Sequence, residues 1–474
     1  MKSNRTTYGV IVGTRGFFNS ALARDAREQL IRQLQSLNFD YVILPAEATP
    51  TGAVETLTDA RRCADLFQQE RRRLDGILVC LPNFGDELGI VNTLQLARLD
   101  LPVLVQACDD DNDRVDVDHR RDAFCGKLSV CNNLYQYGIP FTDTTWHTCA
   151  IGSDDFAGDL DRFARVCRVV KGLKNARIGA IGARPTAFQT MRASEKLLQA
   201  SGITVVTVDH SDIFAAAQNM ADDRPELRQR LLEIREYGRI PETISGDRVK
   251  LQAKYGLAAE DWMKANEVDC AAIQCWTSIQ QNYGCAACLT MSMLGERLIP
   301  CACEVDIAGV LSMYALVLAS GNPAAILDWN NNYGQDRGKC VCTHCSNYPR
   351  GFIGGPVEIS NLDVLGKTLG PENCFGAIKG KVAAGEMTYF RLSTDDRNGR
   401  IKCYCGEGRF TDDPYGMAGG IAVTEVPQLP ALLKYLCREG FEHHVAMVRG
   451  RWQAIVTEAV TNYLGWNAYC HPAT

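Results

Sequence analysis

The sequence predicts an α/β protein with a β-rich C-terminal region, and three observations carry that prediction. Short apolar strands alternate with segments of helical periodicity, this alternation restarts after about residue 170, and glycine-rich alternating segments replace it after about residue 350. Strands separated by helices form βαβ units with a parallel sheet, whereas short alternating strands form barrels or sandwiches. We therefore expect an α/β domain at 1–170, a second α/β domain at 171–349 and a β-rich domain at 350–474.

In the first domain, four apolar segments begin at residues 7, 40, 76 and 101, with helical periodicity between them. Polar residues follow these strands, among them Arg15, Asn83 and Gln106. Ligands bind open α/β sheets at the carboxyl ends of the strands, so Arg15 and Asn83 are candidate substrate contacts. Arg15 equally fits a surface arginine at the start of a helix.

The second domain repeats the pattern with predicted strands at 176–182, 203–209 and 269–276 and a long helical stretch at about 212–268. Its first loop lacks the G-x-G-x-x-G spacing, so a dinucleotide site is not predicted. Gln274, Trp276 and Tyr283 lie at and after the third strand. An amide can hydrogen-bond sugar hydroxyls and aromatic rings offer flat apolar faces, which makes these three residues candidate substrate contacts.

The C-terminal region is predicted to be mainly β-structure that closes with two helices. Alternating or glycine-punctuated segments predict the strands, and helical periodicity predicts the helices. The strands are expected at 355–362, 375–382, 387–394, 399–408 and 420–426, and the helices at 430–440 and 451–465.

The composition excludes several classes of protein. A net charge of -6 argues against a nucleic-acid or membrane-surface partner, which needs a basic face. No apolar run reaches the roughly 18 residues of a membrane span, and the N-terminal segment lacks the pattern of a signal peptide. The 21 cysteines fall among ordinary core residues, which is typical of free thiols in a reducing compartment. We therefore expect a cytoplasmic protein.

Two carboxylates and two imidazole positions predict a divalent metal site. Glu304 precedes an almost wholly apolar helix at 307–319, and Asp328 ends an apolar strand. His344 and the pair His443-His444 supply the imidazoles. A buried carboxylate is unfavourable unless a cation or donor compensates it. Two carboxylates with two imidazoles suit Mn²⁺, with Mg²⁺, Co²⁺ or Fe²⁺ as alternatives.

Each candidate also has a structural alternative. Glu304 is equally placed to cap its helix, and Asp328 to form a turn. Adjacent strand residues face opposite sides, so only one histidine of the pair can point into a given site. His344 lies among Cys340, Cys342 and Cys345, which resemble half of a zinc knuckle, and a cysteine-ligated metal protein is therefore an alternative. A non-catalytic sugar-binding protein is the other.

Several long segments in one order resemble the L-fucose isomerase/L-arabinose isomerase family, in particular its fucose isomerase-like branch. The resemblance covers essentially the whole chain, and it implies two Rossmann-like α/β domains followed by a barrel-containing domain. The segments that carry it are GTRGFF, LPNFGDE, CGKLSVCNNL, GARPTAF, QCWTSIQQNYG, CEVDIAGVLSMYAL, LDWNNNYG, GEGRFTDDP and GFEHHVA.

The resemblance implies an aldose–ketose isomerase that works through a cis-enediolate, usually with Mn²⁺, and that assembles as a homo-oligomer, with a hexamer favoured. Glu304 and Asp328 match the acidic ligands, which also transfer protons, with Asp328 as the base at C2. His444 is favoured over His443 as the C-terminal ligand, and His443 becomes a substrate contact. His344 matches a ligand of the arabinose branch that the fucose branch lacks. The implied substrates are L-fucose, arabinose or a sulfo-sugar such as sulfoquinovose.

Overall fold

The computed structural model describes residues 5–344, 347–416 and 419–472, and the chain divides into two compact units between Lys171 and Gly172. It contains parallel sheets toward the N-terminus and a large, mainly antiparallel sheet toward the C-terminus, which confirms the mixed α/β class. Rossmann-like domains and a closed barrel remain predictions. None of the described helices is long and apolar enough to cross a membrane.

The first unit is a five-stranded parallel sheet in the order β2-β1-β3-β4-β5. Buried apolar side chains cover both faces of this sheet, as parallel sheets require. Its strands are β1 (Thr7–Val12), β2 (Asp40–Ile43), β3 (Gly76–Leu81), β4 (Val103–Ala107) and β5 (Thr142–Asp143). Its helices are α1 (Ser20–Ser36), α2 (Leu57–Gln69), α3 (Glu87–Ala97), α4 (Ala123–Gln136) and α5 (Asp154–Lys174), the last of which continues into the second unit.

The second unit begins with a four-stranded parallel sheet in the order β7-β6-β8-β9. Its strands are β6 (Arg177–Ile181), β7 (Thr204–Val208), β8 (Cys270–Ile273) and β9 (Cys301–Ala302). The helices of this part are α6 (Glu195–Ala200), α7 (His210–Gln218), α8 (Pro225–Tyr237), α9 (Gly246–Ala265), α10 (Ser278–Asn282) and α11 (Cys288–Glu296).

The remaining strands form a ten-stranded sheet. They are β10 (Ala324–Asp328), β11 (Asn331–Tyr333), β12 (Asp336–His344), β13 (Glu358–Asn361), β14 (Phe375–Lys381), β15 (Gly385–Asp395), β16 (Arg400–Thr411), β17 (Gly420–Glu425), β18 (His444–Arg449) and β19 (Asn467–His471). The helices are α12 (Ile307–Ser320), α13 (Asp363–Leu369), α14 (Leu429–Glu439) and α15 (Gln453–Glu458), which runs into a π-helical turn at Ala459–Tyr463.

Two strand pairings cross the predicted boundary near residue 350. β10 pairs with β18 and β12 pairs with β17, both antiparallel, although β10 and β12 fall inside the predicted second domain. The predicted domain limits themselves remain predictions. The β10–β18 register places Asp328 directly opposite His444, at the ends of their strands.

Helix α12 is the buried element that brings the acidic residues to these strand ends. It is apolar on all sides, as expected of a helix surrounded by protein, and it packs against β10, β15 and β18. Asp306 caps its N-terminus by accepting a hydrogen bond from the Gly309 amide at 2.8 Å, and Gly321 ends it in the left-handed conformation at φ 73°. The turn before α12 is therefore held beside the ends of β10 and β18.

Candidate active site

The structure brings Glu304, Asp328, His344 and His444 together. His444 Nε2 lies 3.2 Å from His344 Nε2 and 3.4 Å from Asp328 Oδ1. Glu304 Oε2 lies 3.6 Å from His344 Nε2 and 3.7 Å from His444 Nε2. The two histidines and Glu304 are buried, and Asp328 is partly exposed. We call these four residues the His-carboxylate cluster.

Each member of the cluster sits where an element begins or ends. Asp328 is the last residue of β10, His344 the last of β12 and His444 the first of β18. Glu304 and Val305 precede α12 with φ values of 55° and 54°, in the left-handed region that non-glycine residues disfavour. Such a conformation persists only where the surroundings determine it. The cap at Asp306 and the contacts of the Glu304 carboxylate supply that constraint.

A buried ion network lies behind His444. Asp306 Oδ2 lies 2.8 Å from His444 Nδ1, and Arg391 donates to the same carboxylate at 2.6 Å and 3.1 Å. Arg391 also donates to Glu442, which accepts a hydrogen bond from Ser393 at 2.7 Å. With Nδ1 protonated toward Asp306, the Nε2 lone pair of His444 faces the cluster, which is the orientation that a metal-ligating histidine requires.

The charge of Asp306 is fixed by its neighbours. Burial alone raises the pKa of this carboxyl, but the Arg391 guanidinium and His444 outweigh that effect and hold the pKa well below its ordinary value. Asp306 is therefore an anion at neutral pH. Asp306 lies two residues after Glu304, and the sequence alone does not show its contact with His444, which is 138 positions away.

The donor chemistry of the cluster fits a divalent cation. Within the described residues, Asp328 Oδ1 is a buried oxygen that accepts no hydrogen bond. One donor atom from each of Glu304, His344 and His444 lies within 4.8 Å of the others. Carboxylates with imidazoles suit Mn²⁺ and related ions. The identity of the ion remains a prediction.

A cavity of about 310 Å³ opens onto the cluster. Phe188 stands at its side, with ring centroids 5.2 Å from Trp276 and 5.7 Å from His443. The rest of the described lining consists of Glu304, Asp328, Asn330, Thr343, His344, Leu362, Asp363, Val364, Ala377, Lys379, Gly419 and His444. The sequence did not single out Phe188, because a lone aromatic in a loop carries no signal of its own.

The paired histidines differ in burial, but both reach the cluster, since one donor atom from each of Asp328, His443 and His444 lies within 4.8 Å of the others. His444 is buried in the cluster, whereas the His443 side chain is 40% exposed and its Nε2 lies 3.9 Å from Asp328 Oδ1. Burial and the neighbouring His444 lower the pKa of His443. His443 is thus a neutral imidazole beside the cluster at neutral pH, available for a polar contact with a ligand.

The three candidate substrate contacts at the end of β8 and after it have different surroundings. Trp276 Nε1 donates to Glu304 Oε1 at 3.1 Å and so touches the cluster. Gln274 accepts a hydrogen bond from the Ala183 amide at 3.0 Å. Tyr283 is buried, stacks on Phe214 and donates its hydroxyl to Leu251 O at 2.9 Å. None of these three residues is among the described residues that line the cavity.

The two candidates of the first unit lie at the carboxyl ends of neighbouring strands. Asn83 Nδ2, after β3, donates to Thr14 Oγ1, after β1, at 3.0 Å. The Arg15 guanidinium pairs with Glu87 and lies 4.3 Å from the centre of the Phe84 ring. These contacts confirm that the loops after the two strands gather at one edge of the sheet. A substrate role for Arg15 and Asn83 remains a prediction.

The cysteines beside His344 do not extend the cluster within the described residues. Cys340 and Cys342 are buried in the apolar core of the ten-stranded sheet, and Cys342 Sγ lies 3.4 Å from Thr424 Oγ1. Neither belongs to a group of three metal-binding side chains in the described part of the chain. Cys345, the third member of the predicted motif, lies outside the described residues.

Comparison with known proteins assigns the family. Residues 9–174 match the model of the fucose/sulfoquinovose isomerase N-terminal domain, and residues 342–471 match that of the L-fucose isomerase C-terminal domain. A sulfoquinovose isomerase of Alkalicoccus urumqiensis is 29% identical over 310 residues, which cover 63% of this chain and 66% of that protein. A sulfoquinovose isomerase of Priestia aryabhattai is 25% identical over 340 residues, which cover 70% of this chain and 72% of that protein. The chain belongs to the L-fucose isomerase family of aldose–ketose isomerases.

Proposed function

We propose that this chain catalyses the metal-dependent interconversion of sulfoquinovose and its 2-ketose. The observation that carries the proposal is the His-carboxylate cluster, whose residues line a cavity of about 310 Å³. Membership of an isomerase family favours catalysis over the alternative of a non-catalytic sugar-binding protein. The names of the two relatives favour a sulfonated aldose over L-fucose or arabinose.

Glu304, Asp328, His344 and His444 would hold the ion, with Mn²⁺ favoured. A divalent ion there supplies Lewis-acid stabilisation of negative charge that develops on the O1 and O2 oxygens of the sugar. The reaction needs a proton removed from C2 and returned at C1, while the hydroxyl proton of O2 passes to O1. Two carboxylates can share these transfers as base and acid. We assign the C2 base to Asp328, whose Oδ1 faces the cluster without a hydrogen-bond donor, and the second proton-transfer role to Glu304.

A sulfonate requires a cationic or donor-rich partner. Lys379 is the one lysine or arginine among the described residues that line the cavity, and its Nζ lies 2.6 Å from Asp363 Oδ2. This ion pair is partly exposed, so a sulfonate can exchange for the Asp363 carboxylate without exposing a buried charge. We assign sulfonate recognition to Lys379. The ring of Phe188, which lines the cavity and packs edge-on against Trp276, provides apolar surface for the sugar carbons.

Replacement of either carboxylate of the cluster tests the reaction. In Glu304→Gln and Asp328→Asn we expect turnover of sulfoquinovose with added Mn²⁺ to fall by at least about 100-fold, because a general acid or base contributes 10²–10⁴-fold. The assay reads ketose formation. Asp336→Asn, which removes an exposed carboxylate at the start of β12, is the control and should retain wild-type turnover. More than about a tenth of wild-type turnover in either cluster variant contradicts the assignment.

Replacement of the cavity lysine tests the substrate class. In Lys379→Met we expect KM for sulfoquinovose to rise by about 10- to 100-fold, because a hydrogen bond to a charged group contributes about 1.5–3 kcal/mol. KM for a neutral aldose such as L-fucose should change little. Lys367→Met, which removes an exposed lysine of α13, is the matched control. If KM changes equally for the sulfonated and the neutral sugar in Lys379→Met, Lys379 does not bind the sulfonate.

A further inference from the structure

The Glu304 carboxylate presents its two oxygens to two different sets of donors. Oε2 faces the histidines of the His-carboxylate cluster at 3.6 Å and 3.7 Å. Oε1 accepts hydrogen bonds from Trp276 Nε1 at 3.1 Å and from the Cys275 thiol at 3.3 Å. Cys303 lies close to both residues, since Cys275, Cys303 and Glu304 each place a donor atom within 4.8 Å of the others.

We propose that Cys275, Cys303 and Glu304 form a second metal site, which takes a thiophilic divalent ion such as Cd²⁺ or Zn²⁺. Two thiolates and one carboxylate are a donor set for such ions, whereas Mn²⁺ prefers oxygen and imidazole ligands. A tetrahedral zinc ion with Zn–S bonds of about 2.3 Å and Zn–O bonds of about 2.0 Å places S and O ligands roughly 3.5 Å apart. The Cys275–Glu304 separation of 3.3 Å already meets that requirement.

The surroundings of this second metal site, which we call the thiol site, suit a thiophilic ion. Met291 Sδ lies 3.8 Å from Cys303 Sγ, so a thioether stands next to one of the two thiols. The side-chain amide of Asn347 donates from Nδ2 to Cys303 Sγ at 3.6 Å. A donor in this position stabilises the negative charge of a thiolate. Cys275, Cys303 and Met291 are buried, so an ion held there is shielded from bulk water. Binding releases the two thiol protons to solvent and involves no redox step.

Occupation of the thiol site has a consequence for the His-carboxylate cluster because Glu304 belongs to both. A carboxylate bound to Cd²⁺ through Oε1 is held in place, so it is no longer free to move toward the cluster and the sugar. We therefore expect thiophilic ions to inhibit turnover. This consequence depends on the proposed function, whereas the binding of the ion does not.

A cadmium titration of the full chain, with Mn²⁺ kept in excess, tests the site. The thiolate-to-cadmium charge-transfer absorption should rise to a tight equivalence point in the wild type. In Cys275→Ser and Cys303→Ser the affinity for this tightly bound Cd²⁺ ion should fall more than about tenfold. Even a residue that only hydrogen-bonds to a metal ligand contributes about 10- to 100-fold to metal affinity. Cys270→Ser, which removes an equally buried thiol of β8, is the matched control and should titrate like the wild type. Identical titrations of all four proteins would overturn the site.

X-ray absorption at the zinc edge provides a readout on the unaltered protein, should a serine variant fail to fold. With one equivalent of Zn²⁺ beside excess Mn²⁺, the ion should show sulfur neighbours at about 2.3 Å together with oxygen. A shell of oxygen and nitrogen alone overturns the site. If sulfur neighbours appear and inhibition follows, both proposals stand. If they appear and turnover is unchanged, the thiol site stands and the role given to Glu304 in the reaction is wrong.

Discussion

His444 uses both of its ring nitrogens, and the two have different partners. Nδ1 meets the Asp306 carboxylate at 2.8 Å, while Nε2 faces Asp328 and His344. A carboxylate behind an imidazole fixes its tautomer and raises its basicity, which strengthens a metal ligand. Asp306 also caps α12, so one side chain anchors the helix and orients the histidine. Arg391 pairs with Asp306 and compensates its charge in the core, because a buried carboxylate needs a paired cation.

This geometry predicts the behaviour of Asp306→Asn. Asparagine retains the capping oxygen, but it loses the charge that supports His444. We expect the Mn²⁺ concentration for half-maximal turnover to rise by about 10- to 100-fold, with most of kcat restored at saturating metal. Metal titration of turnover measures both quantities.

Glu442→Gln separates metal positioning from general stability. Glu442 touches Arg391 and Ser393 in the same buried network, but it is not the partner of His444 Nδ1. This variant should unfold more readily and keep the wild-type requirement for Mn²⁺. A shift in the metal requirement as large as that of Asp306→Asn would mean that Asp306 acts only through the stability of the network.

At the scale of elements, the apolar pattern and the polar residues that interrupt it were enough to place the strands that carry Asp328 and His444 and the helix that follows Glu304. The strand β12, which ends at His344, was not predicted. The apolar run that ends at Asp328 is β10, and the apolar segment after His443 is β18. Both are short, strongly patterned and bounded by polar residues, which is where single-sequence reasoning works best. The placement of Glu304 at a helix start was accurate to within three residues, with Asp306 as the actual cap.

The pairing of those elements could not be predicted from local pattern. β10 and β12 follow the second parallel sheet in sequence, yet they pair with β18 and β17. A strand with one buried face pairs wherever its register and apolar face fit, and that information is spread over distant residues. For the same reason Arg391, on β15, carried no signal in the sequence as the partner of Asp306. Phe188 and the Cys275–Glu304 contact are further results of tertiary packing.

At the scale of the whole molecule, all four members of the His-carboxylate cluster lie in the second compact unit, and so do the thiols next to Glu304. The candidate residues Arg15 and Asn83 lie in the first unit. The hexamer implied by the family resemblance and the cytoplasmic location expected from the composition remain predictions. The distribution of ligands has a thermodynamic consequence, because an ion that binds only the folded state stabilises the unit that holds its ligands.

Mn²⁺ should therefore protect the second unit against unfolding. At a free concentration one hundred times Kd, one bound ion adds about 2.7 kcal/mol, which corresponds to a rise in Tm of about 4 °C for a unit of this size. Scanning calorimetry measures the rise, and hydrogen exchange with mass spectrometry locates it. Peptides of β10, β12 and β18 should exchange more slowly with Mn²⁺, while those of β1, β3 and β4 should change little.

Asp328→Asn should lose the effect and Asp336→Asn should keep it, since only the first of these carboxylates faces the cluster. Equal protection in the two variants, or protection centred on the first unit, would place the bound ion elsewhere.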